Sequence, residues 1–141
     1  MSEARAIAIE RMQHMVEAAD AIAEYVARGR RAYDADSAVR DAILFRIVVI
    51  GEAAKTVVQR DPALAADLSE VEWSALARMR DRSTHQYWAV DAQIVWDTAI
   101  EEIPEVREPN VEQSIAPRRA RHCRHAPRNT RHRYRRRSTS R

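Results

Sequence analysis

Arg80, Asp81, Arg82, Ser83, Thr84, His85, Gln86 and Tyr87 set two guanidiniums, a carboxylate, two hydroxyls, an imidazole and a phenol in one run of eight residues. An arginine is charged at every physiological pH and can grip two phosphate oxygens at once, and a histidine exchanges protons near neutrality. Together they are a minimal kit for cutting a phosphodiester: a group that can move protons and a cation for the charge on the phosphate. His85 can move the protons and Arg80 can hold the scissile phosphate. Asp81 can orient His85 or fix Arg80, and Arg82 is a supporting phosphate contact. Tyr87, a phenol beside cations, can stack on a base.

Spacing sets a condition on this chemistry. On an unbroken helix, residues five apart are separated by roughly 140°, so Arg80 and His85 converge only if the helix ends or loosens within 81–84. Ser83 and Thr84, which compete for backbone hydrogen bonds, favour that loosening. Arg80 and Tyr87, seven apart, lie nearly one above the other. A plainer account fits the same residues: Arg78, Arg80, Arg82 and His85 gather where a helix C-terminus favours cations by a few tenths of a kcal/mol each, with Asp81 and Arg82 as solvent-facing charges. Trp88 and Trp96 read as core anchors rather than base-stacking platforms, and Arg46 with Glu52 reads as a buried ion pair.

The elements that carry these residues are helical. The first hundred residues hold two glycines and one proline, Pro62, with no alternating strand pattern. Ala8, Met12, Met15, Ala19, Ile22, Ala23 and Val26 recur at three- and four-residue steps over about Ala4 to Arg28, giving one apolar stripe, and Gly29 is its stop. Asp36 or Ser37 caps a second helix to about Gln59, striped by Val39, Ile43, Ile47, Ile50, Ala54 and Val57. Leu44, Phe45, Val48 and Val49 widen that stripe, so this helix needs cover on most sides, from a bundle or a second subunit. Pro62 starts a turn and a short helical piece through Asp67. Ser69 and Glu72, at capping-box spacing, open a third long helix from about Glu70 to Arg82. Asp91 caps a fourth, which carries Ile94, Val95, Trp96, Ala99, Ile100, Ile103 and Val106 until Pro104 and Pro109 weaken and end it. The fold class is all-α, an antiparallel bundle of four to five helices.

Of the 141 residues, all 21 acids precede Pro117, while 11 of the 24 basic residues lie from Arg118 onward. The body therefore carries 13 − 21 = −8 and the tail +11, so any basic patch on the body is local. The division expected is a helical bundle over 1–110 and a basic tail over 111–141, whose arginine-rich end lacks the aliphatics to offset chain entropy and reads as disordered. With 23 arginines against one lysine, that end also fits a GC-rich coding sequence read out of frame. Cys123, the only cysteine, allows no intrachain disulfide. Lacking a secretory signal pattern or an apolar run long enough to cross a bilayer, the chain reads as soluble and cytoplasmic. His122, Cys123 and His125 have the spacing of metal ligands but sit in the arginine-rich end, and no metal or other cofactor is expected.

Three segments in order, Ile50-Gly51-Glu52-Ala53-Ala54-Lys55 with the later Trp73, the octet, and Val90-Asp91-Ala92-Gln93-Ile94-Val95-Trp96, resemble the HepT-like family of HEPN toxins over about residues 5 to 107. That family's motif is an arginine, four to six residues, a histidine and, in this branch, a tyrosine two places later; Arg80, His85 and Tyr87 match it. The resemblance implies a helical bundle that dimerises so that two motifs face one cleft, acting as a metal-independent endoribonuclease of a type VII toxin–antitoxin pair. It implies as partner a minimal nucleotidyltransferase antitoxin that attaches AMP units to Tyr87. Asp81 stands where the branch often has asparagine, and Ser83 and Thr84 stand where it commonly has apolar residues. Two other classes fit the residues as well. One is a non-catalytic nucleotide- or RNA-binding module serving a nucleotidyltransferase, and the other is a helical scaffold whose arginine tail alone binds nucleic acid.

Overall fold

Two long apolar stripes meet to form the centre of the molecule. The computed structural model describes residues 2–116. Helix α1, Glu3–Val26, buries Ala8, Met12, Met15, Ala18, Ala19 and Ile22. Helix α3, Ser37–Arg60, buries Val39, Ile43, Ile47, Ile50, Ala54 and Val57, among others. Each fully buried aliphatic of this kind contributes about 1.5–3 kcal/mol of transfer free energy, which offsets the chain entropy lost in ordering the pair. An ion pair between Arg5 and Asp61 joins the start of α1 to the end of α3, so the two helices run antiparallel.

Each terminus has a local cause. The Ser2 side chain accepts from the amide of Arg5 and caps α1, and the Asp36 carboxylate accepts from the amide of Ala38 at 2.9 Å and caps α3. Between them Gly29, at φ 88°, takes the turn that residues with a side chain disfavour. A short helix α2, Arg30–Ala35, follows it. Its Tyr33 is buried and donates from its hydroxyl to the carbonyl of Ala92 at 2.7 Å. No stripe of useful length marks α2, so the sequence gives no sign of it.

After α3, Asp61 caps the short helix α4, Pro62–Asp67, by accepting from the amide of Leu64. Helix α5, Trp73–His85, then packs on α3. The indole N–H of Trp73 donates to the carbonyls of Ala65 and Leu68, at 3.0 and 3.1 Å, and ties the start of α5 to the turn beyond α3. Helix α5 therefore runs back along α3, antiparallel to it. It begins three residues later than the Glu70 expected and ends three residues later than Arg82. The capping box of Ser69 and Glu72 is not formed, since Glu72 is itself the cap residue and its side chain makes no capping bond.

Beyond α5 comes one 3₁₀ turn over Tyr87–Ala89. Asp91 then caps helix α6, Ala92–Asp97, by accepting from the amide of Gln93 at 2.7 Å. The expected fourth helix continues from α6, with its winding loosened over Thr98–Glu102 and tightened over Ile103–Arg107. Pro104, which cannot donate an N–H, falls in the tightened turn. Helix α7, Pro109–Ile115, follows and buries Val111 in the core shared with α1. The fourth helix stops at Arg107, just before Pro109 as expected, and Pro109 also opens the next helix. Among the described residues the fold is all-α with no strand, an antiparallel bundle around α1, α3 and α5. No helix there is long and apolar enough to cross a membrane. The arginine-rich end of the chain, with His122, Cys123 and His125, lies outside the described residues.

Candidate active site

Gly51 decides where Arg80 sits. A Cβ at position 51 would lie 2.4 Å from the Cβ of Arg80 and 2.6 Å from the carbonyl oxygen of Leu76, so α5 approaches α3 closely because this residue has no side chain. Leu76, Met79 and Ser83 form the buried face of α5. Arg80 emerges at the edge of that face, with its side chain only 24% exposed.

Its guanidinium lies among carboxylates. Nε is 2.7 Å from Glu52 Oε2, yet the buried N–H is not directed at an acceptor, so the contact is one of charge rather than a formed hydrogen bond. A second nitrogen donates to Asp81 Oδ1 at 3.0 Å, and Lys55 Nζ donates to the same oxygen at 3.0 Å. Glu52, Arg80, Asp81 and Lys55 thus make a chain of alternating charge that bridges α3 and α5. Hydrogen bonds from Lys55 and then Arg80 hold the Asp81 carboxyl below the ordinary aspartate value of 3.8. The contacts of the Asp81 carboxylate are to Arg80 and Lys55. The expected pair of Arg46 and Glu52 is not formed: Glu52 turns to Arg80, and the Arg46 guanidinium lies 6.0 Å from the centre of the Phe45 ring.

The loosening that would let Arg80 and His85 converge does not occur. Thr84 Oγ1 donates to the carbonyl of Arg80 at 3.0 Å, so the hydroxyl is absorbed within the helix and the helix continues to His85. Ser83 is 5% exposed, and its buried hydroxyl has no hydrogen-bond partner. His85 consequently lies roughly 140° around the helix from Arg80, on the solvent side opposite Leu76. Arg82 is also exposed. Within one chain, Arg80 and His85 do not share a face.

The helix ends at Gln86, and the next turn presents Tyr87 and Trp88, 71% and 74% exposed, with rings packed edge to face at 5.3 Å between centres. Trp88 is therefore not the core anchor its type suggested. Trp96 is partly buried, 5.0 Å from the Tyr33 ring, and does anchor the end of the bundle. Phe45, 62% exposed on α3, adds a third large apolar side chain open to solvent. Since Gly51 faces Arg80 and the helices are antiparallel, the His85 end of α5 runs toward the Phe45 end of α3.

On its other side Arg80 borders a cleft of about 440 Å³ between α1, α3 and α5. Arg11 and His14 reach it from α1, and Glu52 and Thr56 from α3, over an apolar floor of Val48 and Val49. Arg11 donates to His14 Nδ1 at 3.3 Å. No cluster of three or more His, Cys, Asp or Glu side chains with the spacing to hold a metal occurs among the described residues.

The sequence profile described as Ribonuclease HepT-like matches residues 15–109, two thirds of the chain and the whole span from mid-α1 to the start of α7. The chain belongs to the HepT-like ribonuclease family. Among its relatives is a protein of Thermococcus cleftensis named probable ribonuclease HepT, 33% identical over 72 residues that cover 51% of this chain and 63% of the relative. A protein of Caldanaerobacter subterraneus subsp. tengcongensis with a provisional RNase name is 36% identical over 73 residues, 48% of this chain and 62% of its own. One of Methanocaldococcus jannaschii, also with a provisional RNase name, is 38% identical over 72 residues, 51% and 60%. The chain thus spans a little over three fifths of the length of these relatives. No solved structure matches it significantly.

Family membership does not by itself single out Gly51, Glu52 and Lys55, which sequence reasoning had assigned no role at the site. Their signal was present, since the segment Ile50 to Lys55 carries part of the HepT-like resemblance, and a glycine, an acid and a lysine within five residues of a buried helix invite the question of what they face. Arg11 and His14 had no such signal, because the contact that brings them to Arg80 is made only by packing α1 on α3.

Proposed function

We propose that the protein is a metal-independent endoribonuclease of the toxin class, in which two copies of the chain bring Arg80 and His85 together on one RNA linkage. The observation that carries this reading is the HepT-like match across the bundle with the motif residues in place. Arg80 is pinned at a cleft rim, and His85 and Tyr87 are exposed on consecutive turns. A single chain holds the two motif side chains on different faces of one rigid helix. A second copy laid over Phe45, Tyr87 and Trp88 supplies both the cover those side chains lack and a second histidine.

In the reaction, one His85 takes the 2′-hydroxyl proton, O2′ bonds to phosphorus, and the P–O5′ bond breaks. The other His85, protonated, gives its proton to the departing O5′. The products are a 2′,3′-cyclic phosphate and a 5′-hydroxyl. Arg80 grips the non-bridging oxygens, and Asp81, with Lys55, keeps it in place. In the same reading a nucleotidyltransferase antitoxin silences the enzyme by attaching AMP to Tyr87, whose new phosphate occupies the cations and blocks the strand.

The test is cleavage of an RNA by the purified protein and by His85→Ala. Loss of at least about a hundredfold in a folded variant is expected for a proton-transfer group, and unchanged cleavage rules it out. Incubation with ATP and the antitoxin should add AMP mass to the peptide that contains Tyr87. The separation of Arg80 from His85 within one chain favours a second reading, a non-catalytic RNA- or nucleotide-binding module. A dimer that binds RNA but never cuts it would establish that one instead.

A further inference from the structure

The cleft on the α1 side of Arg80 is not used by the motif. It has the build of a ligand site, with an apolar floor, a few converging polar groups and a volume of about 440 Å³. Its cations differ in one respect. Arg80 sits between two carboxylates, whereas Arg11 forms no ion pair among the described residues and donates its side-chain hydrogen bond to His14 Nδ1. A guanidinium can only donate, so this contact leaves the ring N–H of His14 at Nε2, available to another acceptor. On a body whose formal charge is −8, an arginine that shares a cleft with Glu52 but is not paired to it, Glu52 being turned to Arg80, and that sits next to a ring donor, is an anion contact left open.

We propose that Arg11 and His14 form a second backbone contact for RNA, holding a phosphate next to the one held by Arg80. The inference rests on the ribonuclease reading and extends it: the strand runs from the cut linkage into the cleft between α1 and α3. Arg11 supplies the fixed charge and His14 Nε2–H a hydrogen bond to a phosphate oxygen or a sugar hydroxyl. Val48 and Val49 offer an apolar surface to a base or ribose, and Thr56, whose hydroxyl donates to the Glu52 carbonyl, closes the far wall. Both α1 residues are positioning groups for substrate and take no part in bond breaking.

The experiment uses the full chain with two RNAs of one sequence, one cleavable and one 2′-O-methylated, which lacks the attacking hydroxyl and reports binding alone. Arg11→Gln should weaken binding of the methylated RNA about tenfold, the worth of one charge-assisted contact. It should also lower the slope of log affinity against log salt by about 0.7, the value for one phosphate contact to a single strand. On the cleavable RNA it should raise KM with little change in kcat. Arg11→Lys should keep the slope, because a point charge suffices to release the counterion. His14→Ala should weaken binding without changing the slope. An Arg11→Gln variant that melts like the parent and keeps its slope and KM overturns the inference, while a His85→Ala variant that binds and does not cut leaves the ribonuclease reading standing. A parent protein that neither binds nor cuts RNA removes both.

Discussion

Replacing Gly51 by alanine sets two effects of opposite sign against each other. Within a helix the change should stabilise, because alanine exceeds glycine by about 1 kcal/mol in helix propensity. At this position the added methyl would lie 2.4 Å from the Cβ of Arg80 and 2.6 Å from the Leu76 carbonyl, against an ordinary contact of 3.4 Å or more. Neither atom belongs to the free end of a side chain, so relief requires α5 to move off α3 by about 1 Å, the difference between 3.4 and 2.4 Å. Overpacking of this kind costs about 1–3 kcal/mol, and with backbone involved the upper end applies. The net expectation is a loss of about 2 kcal/mol, or roughly 8 °C in Tm for a domain of this size. A displacement of about 1 Å in a positioned group also costs on the order of a hundredfold in rate, so cleavage should fall well beyond what partial unfolding explains. Thermal melts followed by circular dichroism, with RNA cleavage measured far below Tm, read the two effects separately. Gly29→Ala is the control: nothing lies within 4 Å of its would-be Cβ, and its strain comes only from φ 88°. It should lose about 1–3 kcal/mol, the cost of a side chain in that extended positive-φ region, and leave cleavage per folded molecule unchanged. A Gly51→Ala protein that melts at or above the parent temperature would mean that helix propensity acts unopposed, and the close approach of α5 would be refuted.

Four further outcomes follow from the same geometry. Arg80→Lys should lose most cleavage, because an ammonium cannot reproduce the planar two-point grip; full retention discards that role. Ser83→Ala should raise stability by about 1 kcal/mol, since it removes a buried hydroxyl without a partner, and a lower Tm would reveal a bond the hydroxyl does make. The Asp81 carboxyl is held below 3.8 by Lys55 and Arg80, so its contribution is present above that pH and lost as pH falls through its folded value. Asp81→Asn should therefore narrow the stability difference from the parent as the solution is acidified, and a constant difference across pH contradicts the assignment. Burial, then Glu105 and Glu72, raise the Glu102 carboxyl above its ordinary 4.5, so its ionised form is the less favoured one in the fold. Glu102→Gln should stabilise the protein near neutral pH, with the gain fading as pH falls through the raised folded value and absent below the ordinary 4.5, which parallel melts at neutral and acid pH measure.

The long elements were legible because their signals are local. The stripes of α1 and α3, the caps at Asp36 and Asp91 and the turn at Pro62 depend on neighbours a few residues apart, and each falls where the pattern placed it or within two or three residues. Helix α2 and helix α7 were not legible. Each is six or seven residues long and is held by a single buried side chain, Tyr33 or Val111, so tertiary contact rather than periodicity defines it. The octet was found by composition, but its geometry was misjudged at Thr84. That hydroxyl was expected to compete with the helix and instead bonds back to the Arg80 carbonyl. Trp88 was misplaced for a related reason: the type of a large aromatic says that it wants cover, not which molecule provides it. Arg11, His14, Glu52 and Lys55 reach the site from helices distant in sequence, and only the packing of those helices shows what they face.

The company Arg80 keeps at rest has one more consequence. With Glu52 on one side and Asp81 on the other, the guanidinium is never a bare cation, and an arriving phosphate replaces a carboxylate instead of filling a void. Engagement is an exchange of one anion for another. Its strength is the difference between two similar attractions, which makes the grip selective for ligands offering more than a single oxygen and leaves monatomic anions such as chloride little to gain.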